Sequence, residues 1–149
     1  MADQENSVRR LAAIMFTDMV NYSKLMQQDE AGTLKLLEDQ QGIVNTILKD
    51  HGGLQIKTIG DAFFSQFDSV LVALNCGIKI QETLREFNAT RNVSQKINIR
   101  IGIHLGDVEI KDDDAYGDGV NIASRIEPFA DAGGICITED VYRQIMNKT

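Results

Sequence analysis

Leu54-Gln55-Ile56-Lys57-Thr58-Ile59-Gly60-Asp61-Ala62-Phe63-Phe64-Ser65-Gln66-Phe67 is the stretch that decides how this chain folds. Leu54 to Thr58 alternate with period two, Gly60-Asp61 supplies a turn, and Ala62 to Phe67 form a second, aromatic-rich strand, so the segment reads as a β-hairpin. Before it, Leu34, Leu37, Val44, Ile47 and Leu48 recur at helical spacing from Asp29 to about Asp50, and His51-Gly52-Gly53 stops the run. After it, Ala73, Ile80, Leu84 and Phe87 mark a helix over roughly Ser69 to Asn88. A hairpin between two helices is the centre of a βαββαβ unit, and both outer strands are legible. Leu11 to Phe16 is an apolar run too short for a helix, which suits a strand buried on both faces. Ile97, Ile99, Ile101 and Ile103 alternate with Asn98, Arg100, Gly102 and His104, which puts Arg100 and His104 on the face away from the isoleucines. Further on come a turn at Gly106-Asp107, a strand Val108-Glu109-Ile110, an acidic loop, a helix from near Asp118, a strand Ile135-Cys136-Ile137 and a short helix from about Glu139. The predicted class is α+β, a ferredoxin-like βαββαβ core with additional strands and helices, one sheet face covered by helices and the other free.

At 149 residues the chain has room for one core, read here as residues 10–149 behind a flexible N-terminal segment at 1–9. Its 43% hydrophobic and 25% charged composition with a single proline is that of an ordinary globular protein. An excess of 22 acidic over 15 basic side chains, net charge −7, repels phosphate backbones and argues against a nucleic-acid partner. The first residues contain no apolar export signal, and no stretch approaches the run of about 18 apolar residues that a membrane span needs. A cytoplasmic segment without membrane contact is expected, within a parent protein that is free to be tethered. Cys76 and Cys136 lack metal-ligand spacing and read as reduced core thiols.

Asp18 ends a buried strand and Asp61 sits at the hairpin turn, so both carboxylates reach one sheet edge if their strands are neighbours. Two hard oxygen ligands there suit Mg²⁺, which keeps waters and adds substrate phosphates. The plainer alternative is that Asp18 caps a helix and Asp61 makes a turn. Downstream, Asn121 and Arg125 lie four apart on the helix predicted from Asp118, so they share a face. Their plain reading is a solvated surface, with Arg125 paired to Glu127 or Asp118. Lys57 reads alternatively as a solvated strand lysine, and Asp114 as one more charge in Asp112-Asp113-Asp114. Arg100 has cross-strand pairing with an acid as its alternative. His104 shares its face, but a lone histidine is usually structural, and His51 suits a helix C-terminus.

Taken in order, Phe16-Thr17-Asp18, Lys57-Thr58-Ile59-Gly60-Asp61, Arg100-Ile101-Gly102, Asp114, Gly117-Asp118-Gly119-Val120-Asn121 and Ser124-Arg125 make the chain resemble the catalytic domain of class III nucleotidyl cyclases, over roughly residues 10–149. The resemblance implies metal binding by Asp18, Asp61 and the carbonyl of Met19, with two Mg²⁺ per site and Mn²⁺ as a substitute. It implies purine reading by Lys57 and Asp114, ribose orientation by Asn121, transition-state charge stabilisation by Arg125 and a triphosphate contact from Arg100. An ammonium and a carboxylate match the N1 acceptor and N6 donor of adenine, worth about 1–3 kcal/mol of discrimination, whereas guanylyl cyclases of this family typically carry Glu and Cys or similar there. The implied reaction is conversion of ATP to 3′,5′-cyclic AMP and pyrophosphate at sites shared across a homodimer, under an unseen regulatory domain. In the family a further strand pair, with a lysine for the terminal phosphate, follows the point reached by Thr149. A catalytically silent or truncated nucleotide-binding module and a guanylyl cyclase are the alternatives. A diguanylate cyclase is disfavoured, since Ile59-Gly60-Asp61-Ala62-Phe63 only partly matches its hairpin motif.

Overall fold

The computed structural model describes residues 7–111 and 114–146, without the side chains of residues 7, 8, 110 and 115. Strand β1 (Ser7–Met19) leads into helices α1 (Tyr22–Gln28) and α2 (Glu30–Asp50). Asp29 caps α2 by accepting from the Gly32 N–H at 3.0 Å, and His51 Nδ1 hydrogen-bonds the Ile47 carbonyl at 2.8 Å at its other end. The hairpin β2 (Leu54–Ile59) and β3 (Ala62–Phe67) follows, and Ser69 then caps α3 (Val70–Asn88). The chain continues as β4 (Ile99–Lys111), β5 (Asp114–Tyr116), α4 (Asp118–Ile126), β6 (Ile135–Ile137) and α5 (Glu139–Ile145). Short 3₁₀ turns lie at Val93–Gln95 and Glu127–Phe129. β1 starts inside the segment expected to be flexible, whose residues 1–6 lie outside the described residues.

The strands form one sheet in the order β2-β3-β1-β4-β5, with β6 on β4. Its first four members give the ferredoxin-like arrangement. All pairs are antiparallel except β4 with β6. The turn expected at Gly106-Asp107 is absent: β4 runs straight through it, with Gly106 opposite Ala12 and Asp107 opposite Leu11. β1 is long enough to pair along all of β4, and that ladder overrides the local turn preference. The acidic segment is not wholly the expected loop: Asp114 opens β5 by pairing with Lys111. Asp112 and Asp113 lie outside the described residues.

On one face, Met15 and Met19 of β1 and the four isoleucines Ile97, Ile99, Ile101 and Ile103 pack under α2, α3 and α5 through Val44, Leu48, Ile80, Leu84 and Val141. On the other, α4 lies over β1 and β4, where Val120 and Ala123 meet Ile14, Phe64 and Val108. That close approach depends on glycine. A Cβ on Gly102 would fall 2.9 Å from the Ala123 carbonyl and the Glu127 backbone, and one on Gly119 would fall 2.8 Å from the Asp107 carbonyl.

Both cysteines are free thiols. Cys76 is buried, and burial pushes its pKa up to about 12, but Cys136 is only half-buried on β6 rather than in the core. Among the described residues no helix is long and apolar enough to cross a membrane.

Candidate active site

Asp18 is an even-numbered residue of β1, like Ile14 and Phe16, and therefore projects from the face that carries α4. It does not cap a helix, since Asn21 occupies the N-cap position of α1. The β1–β4 register sets it opposite Arg100. Asp61 follows Gly60, whose φ of 59° turns the hairpin, and its Oδ2 accepts the Met19 N–H at 2.7 Å. This bond pins the hairpin turn to the end of β1 and brings the two aspartates and the Met19 backbone together. From the opposite side, the buried Gln40 of α2 donates from Nε2 to the Asp61 carbonyl at 3.3 Å.

A third acid joins them. Glu127, in the turn after α4, is only 1% exposed and lies close enough to Asp18, Arg100 and Asp61 to feel their charges. Burial raises its pKa to about 8, Asp18 adds to the rise, and Arg100 opposes it. Asp61 is also shifted upward, first by burial, against the Met19 N–H and with the Asp18 charge. Arg100 is half-buried, and its Nε donates to the Ala130 carbonyl at 2.9 Å. Its acidic cross-strand neighbour is thus Asp18, without an ion pair between them among the described residues.

The donor set fits a divalent cation. Carboxyl groups with raised pKa values, Asp61 and Glu127, lie near each other, and the buried Glu127 Oε1 has no hydrogen-bond partner among the described residues. Among the described residues no three His, Cys, Asp or Glu side chains converge as a ready-made metal cage. Mg²⁺ commonly takes only one or two carboxylates and completes its shell with water and phosphate oxygens.

A second group lies on β2, β3 and β5. An irregularity between Gln55 and Lys57 shifts the β2–β3 register and aligns Lys57 with Phe64. The Lys57 ammonium sits 5.4 Å from the centroid of the Phe64 ring, which tilts at 58° against Phe16. It also pairs with Asp114 Oδ1 at 2.8 Å. Neither residue is merely solvated.

The third group is α4. Gly117, with φ 118°, takes its N-cap position and no side chain caps it, so Asp118 is the first helical residue rather than the cap. Asn121 and Arg125 are exposed. Arg125 forms no ion pair with Glu127 or Asp118 among the described residues. His104 is buried, with Nδ1 hydrogen-bonded to Thr138 Oγ1 at 2.9 Å and its pKa lowered by burial against the pull of Asp140, as befits a structural residue.

Sequence reasoning missed Glu127 and Gln40. For Glu127 a signal existed: an acid at a helix C-terminus opposes the dipole, so it needs another reason to be there. Nothing in the helical pattern of α2 distinguished Gln40.

The family described as adenylate and guanylate cyclase catalytic domain matches residues 5–149. A Rhizobium meliloti (strain 1021) relative, named provisionally as adenylate cyclase 3, is 35% identical over 98% of this chain and 25% of its own length. This chain thus spans about a quarter of that relative, and 16% and 31% of the next two curated relatives. The crystal structure of an adenylate/guanylate cyclase/hydrolase from Silicibacter pomeroyi superposes with TM-score 0.89 at 32% identity, covering 97% of this chain and 84% of that one. The guanylyl cyclase domain of a rhodopsin fusion protein from Blastocladiella emersonii gives 0.85 at 26% identity, covering 96% and 88%. The family match and the fold agree, and the chain belongs to the adenylate and guanylate cyclase catalytic domain family.

Proposed function

We propose that this domain is an adenylyl cyclase, forming 3′,5′-cyclic AMP and pyrophosphate from ATP. The observation that carries the choice of nucleotide is the Lys57–Asp114 pair, an ammonium and a carboxylate held 2.8 Å apart beside an aromatic ring. Lys57 donates to adenine N1 and Asp114 accepts from N6, whereas guanine presents the opposite pattern and would leave both groups opposed. The relatives carry both adenylate and guanylate cyclase names, so the preference for ATP rests on these two residues.

Asp18, Asp61 and the Met19 carbonyl hold the divalent ions, Mg²⁺ or Mn²⁺. Bound there, the ions supply acidity at the ribose 3′-hydroxyl and neutralise triphosphate charge. Asn121 fixes the ribose for in-line attack of the 3′-oxygen on the α-phosphorus. The Arg125 guanidinium, planar and permanently charged, takes up the charge that gathers on the phosphoryl oxygens. Arg100 steadies the triphosphate while remaining anchored to Ala130. The proton of the 3′-hydroxyl leaves to water or to the substrate's own phosphates.

The site is proposed to be shared, with Asp18 and Asp61 from one subunit and Lys57, Asp114, Asn121 and Arg125 from a second copy. A symmetric dimer then holds two sites and a monomer none. The exposure of Asn121 and Arg125 supports this reading. The test is cyclic nucleotide and pyrophosphate formation from ATP, and separately from GTP, with Mg²⁺ or Mn²⁺ over a range of protein concentrations. Cyclic AMP at a specific rate that rises with concentration is expected. Nucleotide binding without product would mark a silent module, and cyclic GTP alone would mark a guanylyl cyclase.

A further inference from the structure

Glu127 is an acid at the C-terminal end of α4, almost wholly buried, in a place where neither packing nor the helix dipole favours a carboxyl group. Its backbone is held from three sides. The 3₁₀ turn Glu127–Phe129 closes with the Ala130 N–H donating to the Glu127 carbonyl at 3.0 Å. The Ala130 carbonyl in turn accepts from Arg100 Nε at 2.9 Å. Gly102 then lets the Glu127 backbone press against β4, where any Cβ would collide with it. The clamp sets Glu127 over Gly102, which the β1–β4 register places opposite Phe16, two residues before Asp18 on the same face, so that the two carboxyl groups lie close enough to influence each other. Among the described residues Glu127 Oε1 has no hydrogen-bond partner.

The geometry points to Glu127 as a positioning residue, which orients the Asp18 carboxylate for a divalent cation and ties it to the end of the helix that carries Asn121 and Arg125. This rests on the proposed metal-binding role of Asp18. Outer residues that orient a metal ligand set affinity without touching the metal. In the proposed dimer, where Asp18 serves one site and Arg125 the other, the same contact joins the metal half of one site to the phosphate half of its twin.

The test is Mn²⁺ binding to the intact chain, read as the loss of free-Mn²⁺ paramagnetic resonance signal, for wild type, Glu127→Gln, Glu127→Asp, Glu127→Leu and Asp18→Asn. Gln keeps a polar side chain of the same length beside Asp18 and is expected to bind within about threefold of wild type. Asp withdraws the carboxyl by one methylene and Leu removes it, and both are expected to weaken binding by about 10–100-fold while circular dichroism shows a folded chain. Wild-type affinity in folded Glu127→Asp or Glu127→Leu overturns the proposal. The Asp variant keeps the test decisive if Leu fails to fold. If Asp18→Asn binds Mn²⁺ as wild type does, the metal role of Asp18 fails first and the role of Glu127 falls with it.

Discussion

Around Asp18 and Asp61 the polar groups are tied down: Asp61 by the Met19 N–H, the hairpin turn by Gln40, Arg100 by the Ala130 carbonyl and the Glu127 carbonyl by the Ala130 N–H. Along the outer face of α4, by contrast, Asn121 and Arg125 stand exposed on a nine-residue helix that no side chain caps. The first region accepts the cost of burying like charges together, visible in the raised pKa values of Asp61 and Glu127. The second has no such cost. Three acids gathered beside the single guanidinium of Arg100 suit a site that takes up a cation. An exposed guanidinium that forms no ion pair among the described residues suits a group presented to another molecule.

This contrast breaks most readily at Arg125. Arg125→Ala is expected to leave stability within about 0.5 kcal/mol, as for exposed surface positions, while cutting turnover about 10²–10³-fold, the scale for losing one transition-state donor. Thermal melting and initial rates check the two halves separately. A large loss of stability would mean that Arg125 is structural.

The next effect concerns the base-reading pair. Lys57→Glu with Asp114→Cys is expected to move the ratio of kcat/KM for ATP over GTP by about 5–150-fold towards GTP, equivalent to the 1–3 kcal/mol of a matched base contact. An unchanged ratio would remove the argument for ATP.

Gly102→Ala probes the seam between the two regions. Its new methyl group would meet the Ala123 carbonyl and the Glu127 backbone at 2.9 Å. The expected cost is about 1–3 kcal/mol from overpacking, measured by urea denaturation. Wild-type stability would show that α4 rides loosely on β4.

The smallest effect lies at His104, whose pKa is lowered from 6.5 by burial. The unfolded chain takes up a proton near 6.5 and the folded chain does so only at lower pH, so acidification favours unfolding. Between about pH 7.5 and about pH 5.5 the wild-type urea midpoint should therefore drop relative to that of His104→Gln, while the raised pKa of Glu127 acts in the opposite sense in both proteins. Parallel profiles for the two proteins would assign the effect elsewhere.

Much of the fold is written in local pattern. The period-two hairpin at Leu54–Phe67, the helical stripes of α2 and α3 and the alternating isoleucines each point to one element, and together they give the strand order. What escaped is non-local. Gly106-Asp107 looks like a turn until a thirteen-residue β1 pairs across it, and β5 forms in an acidic stretch only because β4 offers an edge. Asp18, Asp61, Lys57 and Asp114 were legible as candidates because a motif carries them. Their grouping required the register of β1 on β4 and the shift at Gln55/Lys57. Glu127 was legible only as a helical acid, because its burial depends on Gly102, a residue 25 positions away in sequence.

The claim that two chains build one site is tested most directly by mixing Asp61→Asn, which keeps an acceptor for the Met19 N–H, with Arg125→Ala. Each variant alone is expected to be inactive. Equal mixing is expected to restore about a quarter of wild-type activity, because about half of the dimers are mixed and each of those holds one intact site. No recovery in a mixture whose mixed dimers are demonstrated by native mass spectrometry would contradict the shared site.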